Sequence, residues 1–147
     1  MDIRSLNNII DSIFSLFPLF REKIFSDYKG KFVIKPSNLQ FAILMILHKY
    51  NSLSVSKVGR KLCISKPNIS PLLNNLIQEG IIRRTKDKRD KRITNIELTQ
   101  KGKKILHNTK NTIRKNIEVK LRALDRQALE LLEISLGNTR KIVSRLN

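Results

Sequence analysis

Apolar positions along the chain keep one period, change to another, and then return to the first. From residue 3 to 24, Ile3, Leu6, Ile10, Ile13, Phe17, Phe20 and Ile24 recur at alternating three- and four-residue steps. That spacing is the seam of an amphipathic helix that packs on another helix. Ile9, Phe14, Leu16 and Leu19 widen the stripe. Pro18 interrupts it: a proline in a helix interior removes a backbone bond and costs ~3 kcal/mol, so a kink or break is expected there. "SDYKGKFVIKP" reads as a loop with a turn at Gly30. Ser37 or Asn38 then caps "LQFAILMILHKY", which is apolar on most sides and hence central. In "SLSVSKVGRKL", Ser54 serves as a cap and Val55, Val58 and Leu62 share one face. "CISKPNIS" turns into "PLLNNLIQEG", where Leu72, Leu73, Leu76 and Ile77 repeat at helical spacing and Gly80 suits the left-handed residue that follows a helix.

After Gly80 the period shortens to about two. "IIRRT" and "ITNIELT" are strand-like and rich in β-branched residues, with Ile96 and Leu98 alternating with Glu97. They predict a hairpin whose long tip is the charged run between them. Thr99 then caps a helix from about 100 to 122, and Asp125 caps another to about 145, which Gly137 weakens. Both are amphipathic. The expected fold class is mostly α with a small β-hairpin wing. Two helices, a turn, a helix, a hairpin and a long helix form the order of a winged helix-turn-helix, whose second helix enters the major groove. The long helices at either end carry more apolar surface than so small a core can cover. They are therefore expected to be dimerisation helices: residues 1–36 and 101–147 flank a DNA-binding domain at 37–100, and the protein is a homodimer.

Charge sharpens this picture. The chain has 30 Lys+Arg against 12 Asp+Glu, a net charge of +18, which points to an anionic partner. Residues 60 to 122 hold 18 basic and 5 acidic side chains, so the excess sits in the middle of the chain. "RRTKDKRDKR", residues 83–92, is its densest part. A charge run is usually only a solvated face, but this one lies between two strands and follows a helix-turn-helix pattern. Lys88, Arg89 and Lys91 are the candidates for the tip, where cations suit the enhanced negative potential of a narrow minor groove.

On the second helix of the motif, Lys66, Asn68, Ser70 and Asn74 supply donors and acceptors for base edges or phosphates. Pro71 leaves two readings of that helix. Either it starts after Ser65 with Pro71 in its second turn, or Ser70 is the cap and Pro71 the first helical residue. Arg60 and Lys61, on the preceding helix, touch phosphates or nothing. For Lys101, Lys103 and Lys104 the choice lies between backbone contacts and a solvated helix face.

Other chemistry is excluded or unsupported. One cysteine, Cys63, permits no intrachain disulfide and fits a reducing compartment; among apolar neighbours it reads as a buried structural thiol. His48 and His107 stand alone, so no metal is expected. No phosphate-binding glycine loop, nucleophile elbow or zinc-protease motif is present, so the chain is not expected to be an enzyme or to carry a cofactor. No apolar run reaches the ~18 residues of a spanning helix, and no leader pattern is visible, so the protein is expected to be cytoplasmic and off the membrane.

"LQFAILMIL", "VSKVGRKLCISKPNISPLLNNLIQEGIIRR" and "KDKRDKRITNIELTQKG" together resemble the MarR-type winged helix transcriptional regulators. The most specific part is the wing signature: Asp90, Lys91 and Arg92, an apolar strand, then Leu98, Thr99 and Gly102. The resemblance implies a homodimer with interlocked terminal helices on a pseudo-palindromic double-stranded DNA site, acting as a repressor. It implies that Arg92 reaches the minor groove or sugar–phosphate edge, with Asp90 orienting it through an ion pair; alternatively Asp90 only caps the hairpin turn. Many members also take a small-molecule effector, which follows no motif and is carried to no residue here. The family's peroxide-sensing cysteine lies in the first helix, where this chain has none. Two other functions fit the same pattern: a nucleoid-type architectural DNA-binding protein, and a winged interaction adaptor that does not bind DNA.

Overall fold

The computed structural model describes residues 2–25, 39–87 and 90–146. In chain order these form α1 (Ile3–Leu19), which passes directly into a π-helical turn (Phe20–Ile24), then α2 (Leu39–Tyr50), β1 (Ser52–Ser54), α3 (Val55–Lys61), α4 (Lys66–Gln78), β2 (Ile82–Lys86), β3 (Thr94–Leu98), α5 (Gln100–Leu121) and α6 (Arg126–Val143). The chain is mostly helical with a small β wing, as the periods predict. The loop expected around Gly30, and the cap at Ser37 or Asn38, lie outside the described residues. Two compact units form, Met1–Asp27 with Arg114–Asn147, and Tyr28–Ile113.

In the first unit Asp2 caps α1, its carboxylate accepting from the Arg4 N–H at 3.3 Å. The helix runs through Pro18 without breaking. The adjustment comes just after it, as a single π turn in which the Phe25 N–H donates to the Phe20 carbonyl at 3.2 Å. Such turns absorb a local mismatch in an otherwise continuous helix. Asp125 caps α6 through the Ala128 N–H at 2.7 Å. Neither α1 nor α6 buries a single residue: Phe17 is 79% exposed and Leu131 66%.

The second unit holds the core. Ile43, Leu44 and Leu47 of α2, Val58 of α3, Ile69, Leu73 and Leu76 of α4, Ile82, Ile96 and Leu98 of the wing strands and Leu106 of α5 are all buried together. Two antiparallel strands were expected; the sheet has three, ordered β1-β3-β2. β1 is the addition, with Leu53 paired to Ile96 and buried on the same cluster. Three residues are too short to display a period of two, so only the register with β3 reveals the strand.

The end of α4 is closed by a Schellman motif. Gly80 has φ +67°, its N–H donates to the Ile77 carbonyl at 2.9 Å, and the Ile81 N–H donates to the Leu76 carbonyl at 2.9 Å. Ile81 and Leu76 are both fully buried, supplying the apolar contact that accompanies this cap. The Ile81 carbonyl then receives the Thr99 N–H at 3.1 Å and the Thr99 hydroxyl at 3.0 Å. The same hydroxyl lies 2.7 Å from the Gly80 carbonyl and accepts the Gly102 N–H at 3.0 Å, so Thr99 is the predicted cap of α5 and also its anchor. Gly102 packs so closely that a Cβ there would collide with the Ile81 carbonyl oxygen. The Leu-Thr-x-x-Gly signature is thus a packing requirement: a buried strand end, a two-way hydrogen-bonding cap, and a residue without a side chain.

Gly102→Ala is expected to cost about 1–3 kcal/mol, because backbone rather than a flexible side chain must move. Equilibrium urea unfolding at fixed protein concentration measures it, and a neutral result would contradict the close approach.

Candidate nucleic-acid interface

α4 begins at Lys66 with Ser65 in the cap position, so of the two readings of Pro71 the structure takes the first. Pro67 sits in the first turn, where a missing N–H costs nothing, and Pro71 lies inside the helix. Ile69, Leu73 and Leu76 point into the core. Lys66, Asn68 and Asn74 are exposed, and Ser70 is half-buried. The Ser70 hydroxyl donates to the Lys66 carbonyl at 2.7 Å, which occupies its hydrogen and leaves its lone pairs open. Asn74 is partly spent inside the protein, since its side-chain oxygen accepts from the Arg84 guanidinium of β2 at 2.9 Å. That bond ties α4 to the wing. The same outward face also carries Asn75 and Gln78, which the sequence reading did not single out.

α3 presents Arg60 and Lys61, both exposed, in its last turn. The Lys61 ammonium lies 4.1 Å from the centre of the Tyr50 ring. Its hydrogen bonding to the phenol, together with the Lys49 and Lys61 charges, holds the Tyr50 pKa below its ordinary value. Between α3 and α4, Cys63 takes a positive φ of 54° and is exposed. This corrects the expected buried thiol. The turn directs the flanking Leu62 and Ile64 against the core, and the residue between them at the left-handed position faces out.

The wing is built by register. Arg83 pairs with Glu97 across β2 and β3, with a guanidinium nitrogen 2.6 Å from the carboxylate. Toward the tip, the Asp87 N–H donates to the Ile93 carbonyl and the Ile93 N–H to the Asp90 carbonyl, each at 3.0 Å. One Asp87 oxygen accepts from the Asn95 amide at 2.8 Å, and the other from the Asp90 N–H at 3.2 Å. The Asp90 carboxylate in turn accepts from the Arg92 backbone N–H at 2.9 Å. The expected Asp90–Arg92 ion pair is therefore replaced by a bond to the backbone, because a two-residue separation in a turn brings the N–H within reach of a short side chain. Asp90 shapes the turn, and the Lys91 and Arg92 side chains are exposed without an ion pair among the described residues. Lys88 and Arg89, the other tip candidates, lie outside the described residues.

At the base of the wing the Lys101 ammonium donates to the Glu79 carbonyl at 2.6 Å, capping the C-terminal end of α4. Of the two expectations for Lys101, neither includes this structural bond. The Asp87–Asn95 bridge and the Lys101 cap are non-local, separated by eight and twenty-two residues, and sequence periodicity carries no signal for them. Among the described residues no His, Cys, Asp and Glu cluster could hold a metal, and no helix is long and apolar enough to cross a membrane.

The sequence profile of the MarR family matches residues 37–94. TtmR, an HTH-type transcriptional regulator of Methylorubrum extorquens, is 36% identical over 64 residues, covering 44% of this chain and 33% of that protein. The chain thus spans about a third of that relative's length. The homoprotocatechuate degradative operon repressor of Escherichia coli is 30% identical over 118 residues, 74% of this chain and 80% of the repressor. Among solved structures, the transcriptional regulator BldR of Sulfolobus solfataricus superposes with a TM-score of 0.71 at 23% identity, over 99% of this chain and all of that one. FabT of Streptococcus pneumoniae, solved in complex with DNA, gives 0.63 at 22% identity over 99% of this chain and 100% of FabT. At these identities the two structures establish the fold.

Asp87→Ala should destabilise the second unit by about 1–2 kcal/mol, since its carboxylate accepts two hydrogen bonds. The exchanged pair Asp87→Asn with Asn95→Asp should recover most of that loss, since donor and acceptor merely trade places. A double-mutant cycle on unfolding free energies tests the bridge, and purely additive effects would refute it.

Proposed function

The chain belongs to the MarR family, and from that premise we propose that it is a DNA-binding transcriptional regulator, acting as a homodimeric repressor on pseudo-palindromic double-stranded sites. The observation that carries this reading is the state of the wing charges. Asp90 gives its carboxylate to a backbone N–H, which leaves Lys91 and Arg92 exposed and un-neutralised at the tip of a hairpin braced from within. A solvated charge run needs no such bracing. Guanidinium and ammonium groups held this way release counterions from phosphates on contact, and Arg92 is the candidate for the minor groove. Lys66, Asn68 and Ser70 at the start of α4 are the candidates for major-groove edges and the flanking phosphates, with Arg60 as a phosphate contact. Asn74 contributes through its remaining amide hydrogens. Two relatives support the reading by what they are: one represses a degradative operon, and the other was crystallised on DNA.

The homodimer rests on a different observation. α1 and α6 leave Ile13, Phe17, Leu131 and Ile134 each more than 60% exposed, and a second copy offers the matching apolar surface. Pairing would fix the spacing of two α4 helices and so the spacing of the half-sites. A second reading, an architectural protein with little sequence preference, is favoured by the net charge of +18. Footprinting of genomic fragments followed by competition against bulk duplex DNA separates the two. A regulator holds its site against a large excess of bulk DNA, whereas an architectural protein is displaced in proportion.

Arg92→Ala should weaken binding to a footprinted site by about 1 kcal/mol or more without lowering the unfolding midpoint, and unchanged affinity would remove the wing from the account. Phe17→Glu should shift the sedimentation of the protein from dimer to monomer and reduce DNA affinity with it; a dimer that persists would relocate the interface.

A further inference from the structure

A second region of the DNA-binding unit carries cations that the proposed reading surface does not use. α5 has Lys101, Lys103 and Lys104 in its first turns and no carboxylate before Glu118. Cations at a helix N-terminus oppose the helix dipole, so each is a local cost unless a contact offsets it. Lys101 is engaged at the Glu79 carbonyl. Lys103, Lys104 and Lys110 are exposed and form no ion pair among the described residues. Lys103, His107 and Lys110 follow at four- and three-residue steps, so they lie along one side of the helix over roughly 10 Å. Lys103 also borders a groove of about 270 Å³, together with His48, Arg83, Glu97 and Gln100. Glu97 does not set the sign of that groove, because its carboxylate is held by Arg83 at 2.6 Å.

The position of this region matters as much as its charge. Thr99 and Lys101 fasten the start of α5 to the Gly80 and Glu79 carbonyls, at the C-terminal end of α4. The candidate reading residues Lys66 and Asn68 lie at the other end of that 13-residue helix, roughly 20 Å away along its axis. The α5 cations are therefore fastened at the end of α4 opposite Lys66 and Asn68.

We infer that the N-terminal half of α5 and the adjoining groove form a second phosphate-binding face, which takes the sugar–phosphate backbone of duplex DNA without reading its sequence. Lysines suit that task, since an ammonium is a point charge that accepts a phosphate from many directions. The row is open and elongated, as a nucleic-acid backbone requires and an enclosed small anion does not. It offers no Phe, Tyr or Trp on which an unpaired base could stack, which favours duplex over single strands. The face extends the electrostatic footprint of each protomer beyond the reading site, either onto flanking turns of the same duplex or onto a second one. It rests on the proposed function in one respect, that the protein binds duplex DNA.

The test compares two charge-matched variants of the full-length protein by fluorescence anisotropy on a random-sequence duplex across a salt series. Lys103→Gln with Lys110→Gln removes two charges from the face, and Arg140→Gln with Lys141→Gln removes two exposed charges from α6. Thermal midpoints confirm that both fold. The α5 pair should lower the slope of log affinity against log salt by about 0.9 per lost phosphate contact in each protomer, and the α6 pair should leave it unchanged. Equal slopes for all three proteins, or an equal loss in both variants, would overturn the second face. Lengthening the duplex, or scoring bridging of two labelled duplexes, identifies which source of phosphate is bound. Arg92→Ala in the same assay separates the two ideas. If it weakens binding while the α5 pair does not, only the second face falls; if the wild-type protein binds no duplex, both fall.

Discussion

One short stretch of backbone holds the second unit's working parts together. The Ile81 carbonyl receives both the N–H and the hydroxyl of Thr99, and Gly102 packs against the same group with no room for a side chain. Ile81 is also the residue that closes the Schellman cap of α4. The end of α4, the base of the wing and the start of α5 therefore meet at a single peptide. Each hydrogen bond there is worth only about 1 kcal/mol net, but the bonds sit beside a common apolar cluster and each constrains the others. Any shift of α4 along its axis would have to break this junction, so the orientation of Lys66 and Asn68 relative to the wing is set from the far end of the helix.

The wing repeats that logic at smaller scale. Acidic side chains near its tip brace the turn: Asp87 spans the Asn95 side-chain amide and the Asp90 backbone N–H, and Asp90 holds the Arg92 backbone N–H. A carboxylate that satisfied the Arg92 guanidinium instead would have stabilised an exposed ion pair worth at most about 1 kcal/mol and removed the charge that a phosphate needs. Using it to rigidify the turn would lower the entropy lost in the proposed docking of the wing and keeps the cation available. Arg84 makes a comparable brace by bonding Asn74, which couples wing and helix through one side-chain contact.

Much of this architecture was legible in the sequence, and what was not has physical causes. Helices and wing strands announced themselves by period, Gly80 by its position after an apolar helical run, Thr99 as a helix cap, and Gly102 only through the resemblance to the MarR-type wing signature. β1 escaped because three residues around Leu53 carry no periodicity of their own. Cys63 was expected inside because its neighbours are apolar, yet a left-handed residue at a tight turn points opposite to those neighbours. The role of Asp90 depended on whether its carboxylate meets a guanidinium or a backbone N–H, a matter of turn geometry that a tripeptide motif does not contain. Asp87–Asn95, Asn74–Arg84 and Lys101–Glu79 are visible only once register and helix ends are known.

The central claim is that cations at the α4 N-terminus and the wing, held by this framework, engage duplex DNA. Backbone hydrogen exchange of the protein with and without saturating duplex tests it most directly. Slowed exchange at the first turn of α4, the wing turn and the segments they contact is the predicted result. Exchange at Asn68, Ile69, Arg92 and Ile93 that is unmoved by bound duplex would contradict it.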